Sequence, residues 1–581
     1  MARFTDEQMR AIEAQGKTIV SASAGSGKTT VMIEKIIRLI KSGCSVGDIL
    51  AVTFTKKAAS QMKEKLAKAL IETINEGEVS EERRALLKKQ LNEVPSADIS
   101  TIHSFCAKLL RTHFYAAGVD NTFRIIGSDD AEGTALRNAA LDELLEEGYE
   151  QKEEAFSYLL SIYWRKKSDK ALREIFLTAY DELRNRADYH AYLQASQGYT
   201  EETFDKICVD LKKKLEEKCR YYYELVEDER AFFMDADEKP QIALCEELME
   251  LLERIIYAQT YFDARLVEKP KFTVNRAAKK DKDTPEKKLH RERIAFLKER
   301  ITKILDGELA KTLTREEELK NFLQSGKTAE ALARYLMRFD EKYAQLKSER
   351  GVLDYADLEH KSLKLLENEE IVAEMRGKYR YVFVDEYQDV NPVQEALISR
   401  LSGENLFLVG DVKQAIYGFR GSKSGFFVEK QKEFEGGDGT NLYMSRNFRS
   451  SDKVLDAVNL QFSLAMTPKV CAVDYARDSR MEKGGRYALN DGRVQIHFFG
   501  EEEKTESGKR GVYSVREHAQ GRLVEESLIA KKIRNIIEEE RQSKFFDPDT
   551  GEEREVKYSD IAVLSRKKQG QIAKTVESLS A

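Results

Sequence analysis

The sequence predicts an α/β fold: a parallel-sheet core with a phosphate-binding loop, a large all-helical insertion, and the start of a second α/β domain. Three observations predict it. Short apolar runs alternate with helical patterns over residues 1–118 and again over 349–438, as strand–helix–strand units require. Between them, residues 119–348 are dense in Glu, Lys, Leu and Tyr at helical spacing, as in Leu141-Asp142-Glu143-Leu144-Leu145-Glu146-Glu147, with almost no strand-like run. A glycine-rich loop ending in Lys-Thr joins the first strand to the first long helix.

Composition narrows the class. At 581 residues the chain has room for three or four domains at about 150 residues each. Apolar residues reach 41% and charged residues 34%, against typical values of ~45–50% and ~25%, which suits helices with charge-laced surfaces. With 96 basic and 102 acidic residues the net charge is −6. That excludes a uniformly basic nucleic-acid coat and leaves room for a local basic groove. Mean hydropathy is −0.55, and no apolar run is long enough to span a bilayer. Met1-Ala2-Arg3-Phe4-Thr5-Asp6 has no apolar core of a signal peptide. The six cysteines (44, 106, 208, 219, 245, 471) are scattered without a C-x-x-C pair, so reduced, buried thiols in a cytoplasmic protein are expected.

Taken in order, Thr18-Ile19-Val20-Ser21 reads as the first strand, followed by the glycine-rich turn and a helix from Thr30 to Lys41. Residues 49–54 read as a second strand, with a helix from Lys57. The insertion carries a charged, proline-bearing hinge at 268–289. Residues 381–384 and 406–409 have the continuous apolar character of buried parallel strands. Gly436-Gly437-Asp438-Gly439 reads as a linker into a last domain, 439–581, with strands expected at 494–499 and 561–564.

Chemistry concentrates in two segments. Ala22-Ser23-Ala24-Gly25-Ser26-Gly27-Lys28-Thr29, with Thr30 after it, supplies small residues whose backbone N–H groups can surround a phosphate. The following helix adds the positive end of its dipole. Lys28 then reaches the β- and γ-phosphates and the Thr29 hydroxyl holds Mg²⁺. The strict pattern places Gly where this chain has Ala22. Asp385-Glu386, at the tip of a neighbouring strand, matches the second half of such a site: Asp385 for the metal, Glu386 to deprotonate water.

Asp385-Glu386-Tyr387-Gln388-Asp389, the run Val409 to Gly421, and Thr53-Phe54-Thr55-Lys56-Lys57-Ala58-Ala59 resemble the motifs of superfamily 1 DNA helicases of the UvrD/RecB type. Ile99 to Cys106, Leu353 to Glu359 and Asn391-Pro392-Val393-Gln394-Glu395 resemble, within that group, the AddA-type helicase–nuclease subunits of bacterial AddAB recombination enzymes. The resemblance covers residues 1–125 and 345–465 and is only compositional across most of the insertion. It implies a RecA-like motor domain 1A in two parts (1–118 and 349–438), a helical 1B insert (119–348), and the first portion of motor domain 2A (439–581).

The same resemblance implies site roles. Gln8 would read the adenine edge and Phe448 stack near it; Gln414 would contact the γ-phosphate; Arg449 would reach that phosphate from the second motor domain. Phe54, Thr55, His103, Tyr417, Phe419 and Arg420 would line a single-strand groove, where rings stack on bases of any sequence. A lone Phe is more often core than contact, and Phe54 and Phe419 stand between those readings. Lys279-Lys280-Asp281-Lys282 and Lys287-Lys288-Leu289-His290-Arg291 read as a solvated face or as a grip on duplex phosphates. Trp164 and Tyr221-Tyr222-Tyr223 read as packing residues of the insert.

The activity implied is ATP- and Mg²⁺-dependent movement on DNA during double-strand-break repair, with an AddB-like partner in a heterodimer. Two further motor motifs and the nuclease of the AddA type do not appear before Ala581, so the chain reads as the N-terminal part of a longer protein. An ATP- and DNA-binding module that unwinds nothing is the alternative. A P-loop kinase has no need of the aromatic run near Tyr417.

Overall fold

A computed structural model describes residues 4–75, 80–128, 130–164, 168–194, 198–272, 284–310, 313–418, 421–467, 473–484, 544–546, 553–555, 557–560, 562 and 564. Eight strands build the parts that concern function: β1 (Thr18–Ala22), β2 (Ile49–Thr53), β3 (Asp98–Thr101), β4 (Arg124–Ile126), β5 (Val352–Asp354), β6 (Tyr381–Val384), β7 (Leu406–Gly410) and β8 (Thr440–Met444). Six of them form one sheet in the order β3-β2-β6-β7-β1-β8, parallel throughout. Every residue of β1, β2 and β7 is buried. That explains their continuous apolar runs, because helices cover both faces of a parallel sheet.

Side-chain alternation along the strands divides the core in two. Val20, Ala51, Phe383, Phe407 and Val409 face one side, packed by α1 (Asp6–Glu13), α2 (Lys28–Lys41), α3 (Lys56–Asn75) and α4 (Glu81–Glu93). Ile19, Leu50, Val52, Val382, Val384 and Leu408 face the other, against α5 (Ile102–Thr112) and the helices Tyr355–Leu365 and Pro392–Leu401. The sheet register thus puts successive residues into opposite cores.

The boundary expected at 438/439 moves. Gly436–Gly439 does not lead away into a separate domain; it turns the chain back into the same sheet, where β8 pairs with β1 from Thr18↔Thr440 to Ala22↔Met444. The glycines serve close approach. Gly437 has a positive φ of 108°, and a Cβ on Gly439 would lie 2.8 Å from the Lys17 carbonyl oxygen. Thr440 N donates to that oxygen at 2.9 Å. Residues 494–499 lie outside the described residues, and 561–564 only partly inside them.

The insert hangs between β4 and β5, which pair in parallel from Arg124↔Val352 to Ile126↔Asp354. It holds two apolar cores. The near one packs the helices Ala131–Gln151, Lys170–Arg184 and Arg315–Glu349; the far one packs Glu201–Asp235, Lys239–Ile256 and Pro285–Lys303. Of the basic run, 279–282 lies outside the described residues. Lys287 and Arg291 pair with Glu238, and His290 stacks on Phe232 and meets Glu229 at 2.7 Å. Trp164 is 47% exposed, so it is not the packing residue expected, whereas Tyr222 and Tyr223 do pack on the far core. Among the described residues Cys44, Cys106, Cys208, Cys219 and Cys245 are free thiols, and no helix is long and apolar enough to cross a membrane.

Buried charges fasten the insert to the core. Lys347, near the end of Arg315–Glu349 and 2% exposed, meets Asp354 at 2.8 Å and Asp357 at 2.5 Å. Arg184 reaches Asp357 at 2.9 Å from a second insert helix. Burial works against both carboxylates; Lys347 and Arg184 nonetheless hold Asp354 down to about 2, while burial and the Asp354 charge push Asp357 up. Removing one partner of a buried pair strands the others and costs about 3–5 kcal/mol. Lys347→Met is therefore expected to lose about that much in urea unfolding, whereas Lys288→Met, at an exposed i,i+4 pair, changes stability by less than about 1 kcal/mol. Equal effects would show that the junction is not held by these charges.

Candidate nucleotide site and its DNA-facing edge

In a parallel sheet every strand delivers its C-terminal loop to the same edge, and ligands sit there. The loop after β1 carries left-handed backbone at Gly25 (φ 72°) and Gly27 (φ 86°), the latter capping α2. Added Cβ atoms there would lie 2.7 Å from the Arg449 Cβ and 3.0 Å from the Gln8 amide nitrogen, so neither position tolerates a side chain. Ala22 does, because it is the last residue of β1 and paired with Met444; the departure from the strict motif falls on strand, not on turn. Ser26 Oγ is buried without a partner, which suits a hydroxyl facing a bound anion. Thr29 lies in the first turn of α2, and Thr30 is exposed.

Two segments brace this loop. Gln8, in a capping box with Thr5, donates from Nε2 to the Ser26 carbonyl at 2.9 Å. From the other side, Asn447 Nδ2 donates to the Ala24 carbonyl at 2.7 Å and Phe448 N to the Gly25 carbonyl at 2.8 Å. Glu7 accepts from Ser445 N and Oγ at 2.9 and 2.8 Å, tying α1 to the strand end of β8. The Arg449 backbone crosses over Gly25 while its side chain is exposed.

The acidic half comes from β6. Asp385 N donates to the Val52 carbonyl at 2.9 Å, locking the residue to β2, and burial, then the Glu386 charge, pushes its carboxyl up to about 6. Glu386 adopts φ 51°, a left-handed conformation costing a non-glycine residue roughly 1–3 kcal/mol. That turn aims its carboxylate at Lys28, 3.2 Å away. Gln388 donates to the same Glu386 oxygen at 2.8 Å and accepts from Asp411 N at 2.8 Å, so it joins the ends of β6 and β7. Gln414 donates to Asp411 at 2.7 Å, and Lys413 pairs with Asp411 at 2.6 Å.

The residues present suit Mg²⁺ carried on phosphates. Asp385 is a buried carboxyl short of positive charge, and no group of three or more His, Cys, Asp or Glu among the described residues forms a complete cage. Mg²⁺ takes one or two protein oxygens and fills its remaining positions with water and phosphate.

Along the same edge, Phe54 meets Tyr417 with ring centroids 4.5 Å apart. Both are half-buried, between the two readings a lone aromatic allows. Thr55 is exposed and its hydroxyl accepts from Ala58 N at 3.1 Å at the start of α3. Thr53 is in register with Thr101, so His103 leaves the adjacent strand at the level of Phe54 and Thr55. His103 Nε2 lies 2.9 Å from Glu359. Phe419 and Arg420 lie outside the described residues. Glu7, Gln388, Asn447 and Asp411 take up bracing positions that the sequence alone does not assign, though Gln388, Asn447 and Asp411 stand inside the motifs quoted above.

A family model described as the UvrD/REP helicase N-terminal domain matches residues 4–202 and 177–435. The chain belongs to the UvrD/REP helicase family. Among curated proteins it is similar to an ATP-dependent helicase/nuclease (the AddA-type chain) of Ligilactobacillus salivarius, 30% identical over 99% of this chain and 48% of that protein. The same-named protein of Natranaerobius thermophilus is 31% identical over 97% of this chain and 47% of its own; that of Carboxydothermus hydrogenoformans is 32% identical over 97% and 48%. The chain spans about half the length of the curated relatives it matches.

The raised Asp385 value sets a pH test. Below about 6 the carboxyl is protonated and cannot take a cation, so affinity for the metal falls with pH. The Mg²⁺-dependent part of nucleotide affinity should be full near pH 8 and fade as pH drops through about 6. Asp385→Asn should show no such fade. Titrating a fluorescent ATP analogue with and without Mg²⁺ checks this; an Mg²⁺ effect unchanged down to about pH 5 would remove Asp385 from the metal site.

Proposed function

We propose that the chain is the ATP-binding motor portion of a DNA helicase, coupling ATP hydrolysis to movement on single-stranded DNA in double-strand-break repair. The observation that carries this reading is the 3.2 Å approach of Lys28 to Glu386 across the mouth of the braced loop. A phosphate-binding lysine and a strained carboxylate share one opening. The Phe54–Tyr417 ring pair at the same sheet edge supports a single-stranded partner, since paired rings offer bases stacking faces without reading sequence.

In this reading Lys28 and the loop N–H groups hold the phosphates, and Thr29 and Asp385 hold Mg²⁺, which supplies charge neutralisation on the phosphates. Glu386 orients and deprotonates the attacking water, with Gln388 fixing its carboxylate. Gln8 and Phe448 address the base, Gln414 the γ-phosphate. Arg449 adds positive charge to the transition state, a contribution that can reach 10³–10⁵ in rate for an arginine finger. The names of the relatives add the wider setting: a cytoplasmic AddAB-type complex with an AddB-like partner, acting on single-stranded and duplex DNA.

Binding and chemistry separate at this site. Lys28→Ala is expected to weaken nucleotide binding and abolish hydrolysis together. Glu386→Gln keeps shape and hydrogen bonding, so affinity should hold or tighten slightly, while single-turnover hydrolysis falls by about 10²–10⁴. A Glu386→Gln protein hydrolysing ATP within about threefold of wild type would contradict the general-base role.

A further inference from the structure

We propose that Glu359 is a positioning residue that couples the nucleotide loop to the single-strand-facing edge, so that each ligand changes the affinity of the other. This rests on the function proposed above. Glu359 lies on the helix Tyr355–Leu365, is 4% exposed, and lies between two elements that leave the sheet at separate strands. Its Oε1 meets His103 Nε2 at 2.9 Å and accepts from Gln394 Nε2 at 2.6 Å. Its Oε2 accepts from Asn391 Nδ2 at 3.0 Å. Burial alone would raise its pKa, yet the bonds from His103, Gln394 and Asn391 hold it below the usual carboxylate range.

The donors belong to opposite ends of the proposed mechanism. Asn391 follows directly on the segment Glu386–Val390 and caps the helix Pro392–Leu401 in a capping box with Gln394. Any displacement of Glu386 and Gln388 on nucleotide binding is passed to these two residues through a five-residue link. His103 stands in the first turn of α5, level with Phe54 and Thr55, its ring edge-on to Tyr355 at 4.9 Å. One buried carboxylate therefore serves both sites, and Oε1 is shared between them. Moving the Asn391–Gln394 turn either drags His103 with it or gives up a buried, charge-assisted hydrogen bond. Tyr355, which touches His103, begins the same helix, so the imidazole and the carboxylate move as one body.

Coupling is reciprocal and is read as a ratio of affinities. The test uses the whole chain, a fluorescent non-hydrolysable ATP analogue with Mg²⁺, and an oligo-dT strand, each titrated with and without saturating amounts of the other. Wild type is expected to show a ratio of about fivefold or more, the lower end of typical couplings. Glu359→Gln should leave each single-ligand affinity within about twofold while the ratio falls to about one. His103→Gln, at a partly exposed position, should lower oligo-dT affinity and also remove the ratio, and the double variant should add nothing further. It decides the matter alone if Glu359→Gln fails to fold. A ratio that persists in these variants, or a wild type that binds both ligands independently, overturns the Glu359 role while leaving the motor reading intact. A wild type that binds neither ligand overturns both.

Discussion

Six strands hydrogen-bonded in parallel force their C-terminal loops onto one edge, and the placement of every candidate functional residue follows from that. The glycine loop after β1, Asp385 and Glu386 after β6, Asp411 and Gln414 after β7, Phe54 after β2, His103 after β3 and Asn447 after β8 come from segments up to about 400 positions apart in sequence. Antiparallel pairing of any one strand would send its loop to the opposite edge. Helices on both faces are the other half of the constraint, because only buried parallel strands explain why β1, β2 and β7 lack polar alternation.

Within that edge, the site holds its charges and strain by mutual compensation. Glu386 sits in a left-handed conformation that a non-glycine residue adopts only when its surroundings impose it. Its carboxylate is paired by Lys28 and by Gln388, and Gln388 in turn occupies the space that keeps position 410 a glycine: a Cβ there would lie 2.4 Å from the Gln388 amide oxygen. The loop after β1 is held from both flanks by Gln8 and Asn447, leaving Ser26 Oγ buried and unbonded. An unsatisfied hydroxyl inside an otherwise braced loop marks where an anion would complete the bonding.

Local signals carried much of this into the sequence. The first strand, the phosphate loop, the acidic strand tip and the helical insert are legible because each is encoded within about twenty consecutive residues by glycine placement, apolar runs or helical period. What stayed illegible is long-range. Gly436–Gly439 looked like a linker because glycine runs punctuate domains; only pairing of β8 with β1, more than 400 residues away, shows the run returning to the sheet. The Glu7–Ser445 and Asn447–Ala24 bonds, and the union of His103, Glu359 and Gln394, join residues with no common period or motif. Trp164 misled for a different reason: large aromatics are buried on average, and this one ends a helix at the surface.

The central claim is that nucleotide and single-stranded DNA occupy adjoining stretches of one sheet edge. Hydrogen–deuterium exchange of the whole chain tests it most directly, with a non-hydrolysable ATP analogue and Mg²⁺ in one arm and an oligo-dT strand in the other. The account predicts slowed exchange on nucleotide addition in peptides spanning 22–30, 384–390 and 445–449, and on oligo-dT addition in those spanning 53–57 and 101–104. Protection by oligo-dT confined to the far helices of the insert, with the sheet edge unchanged, would contradict it.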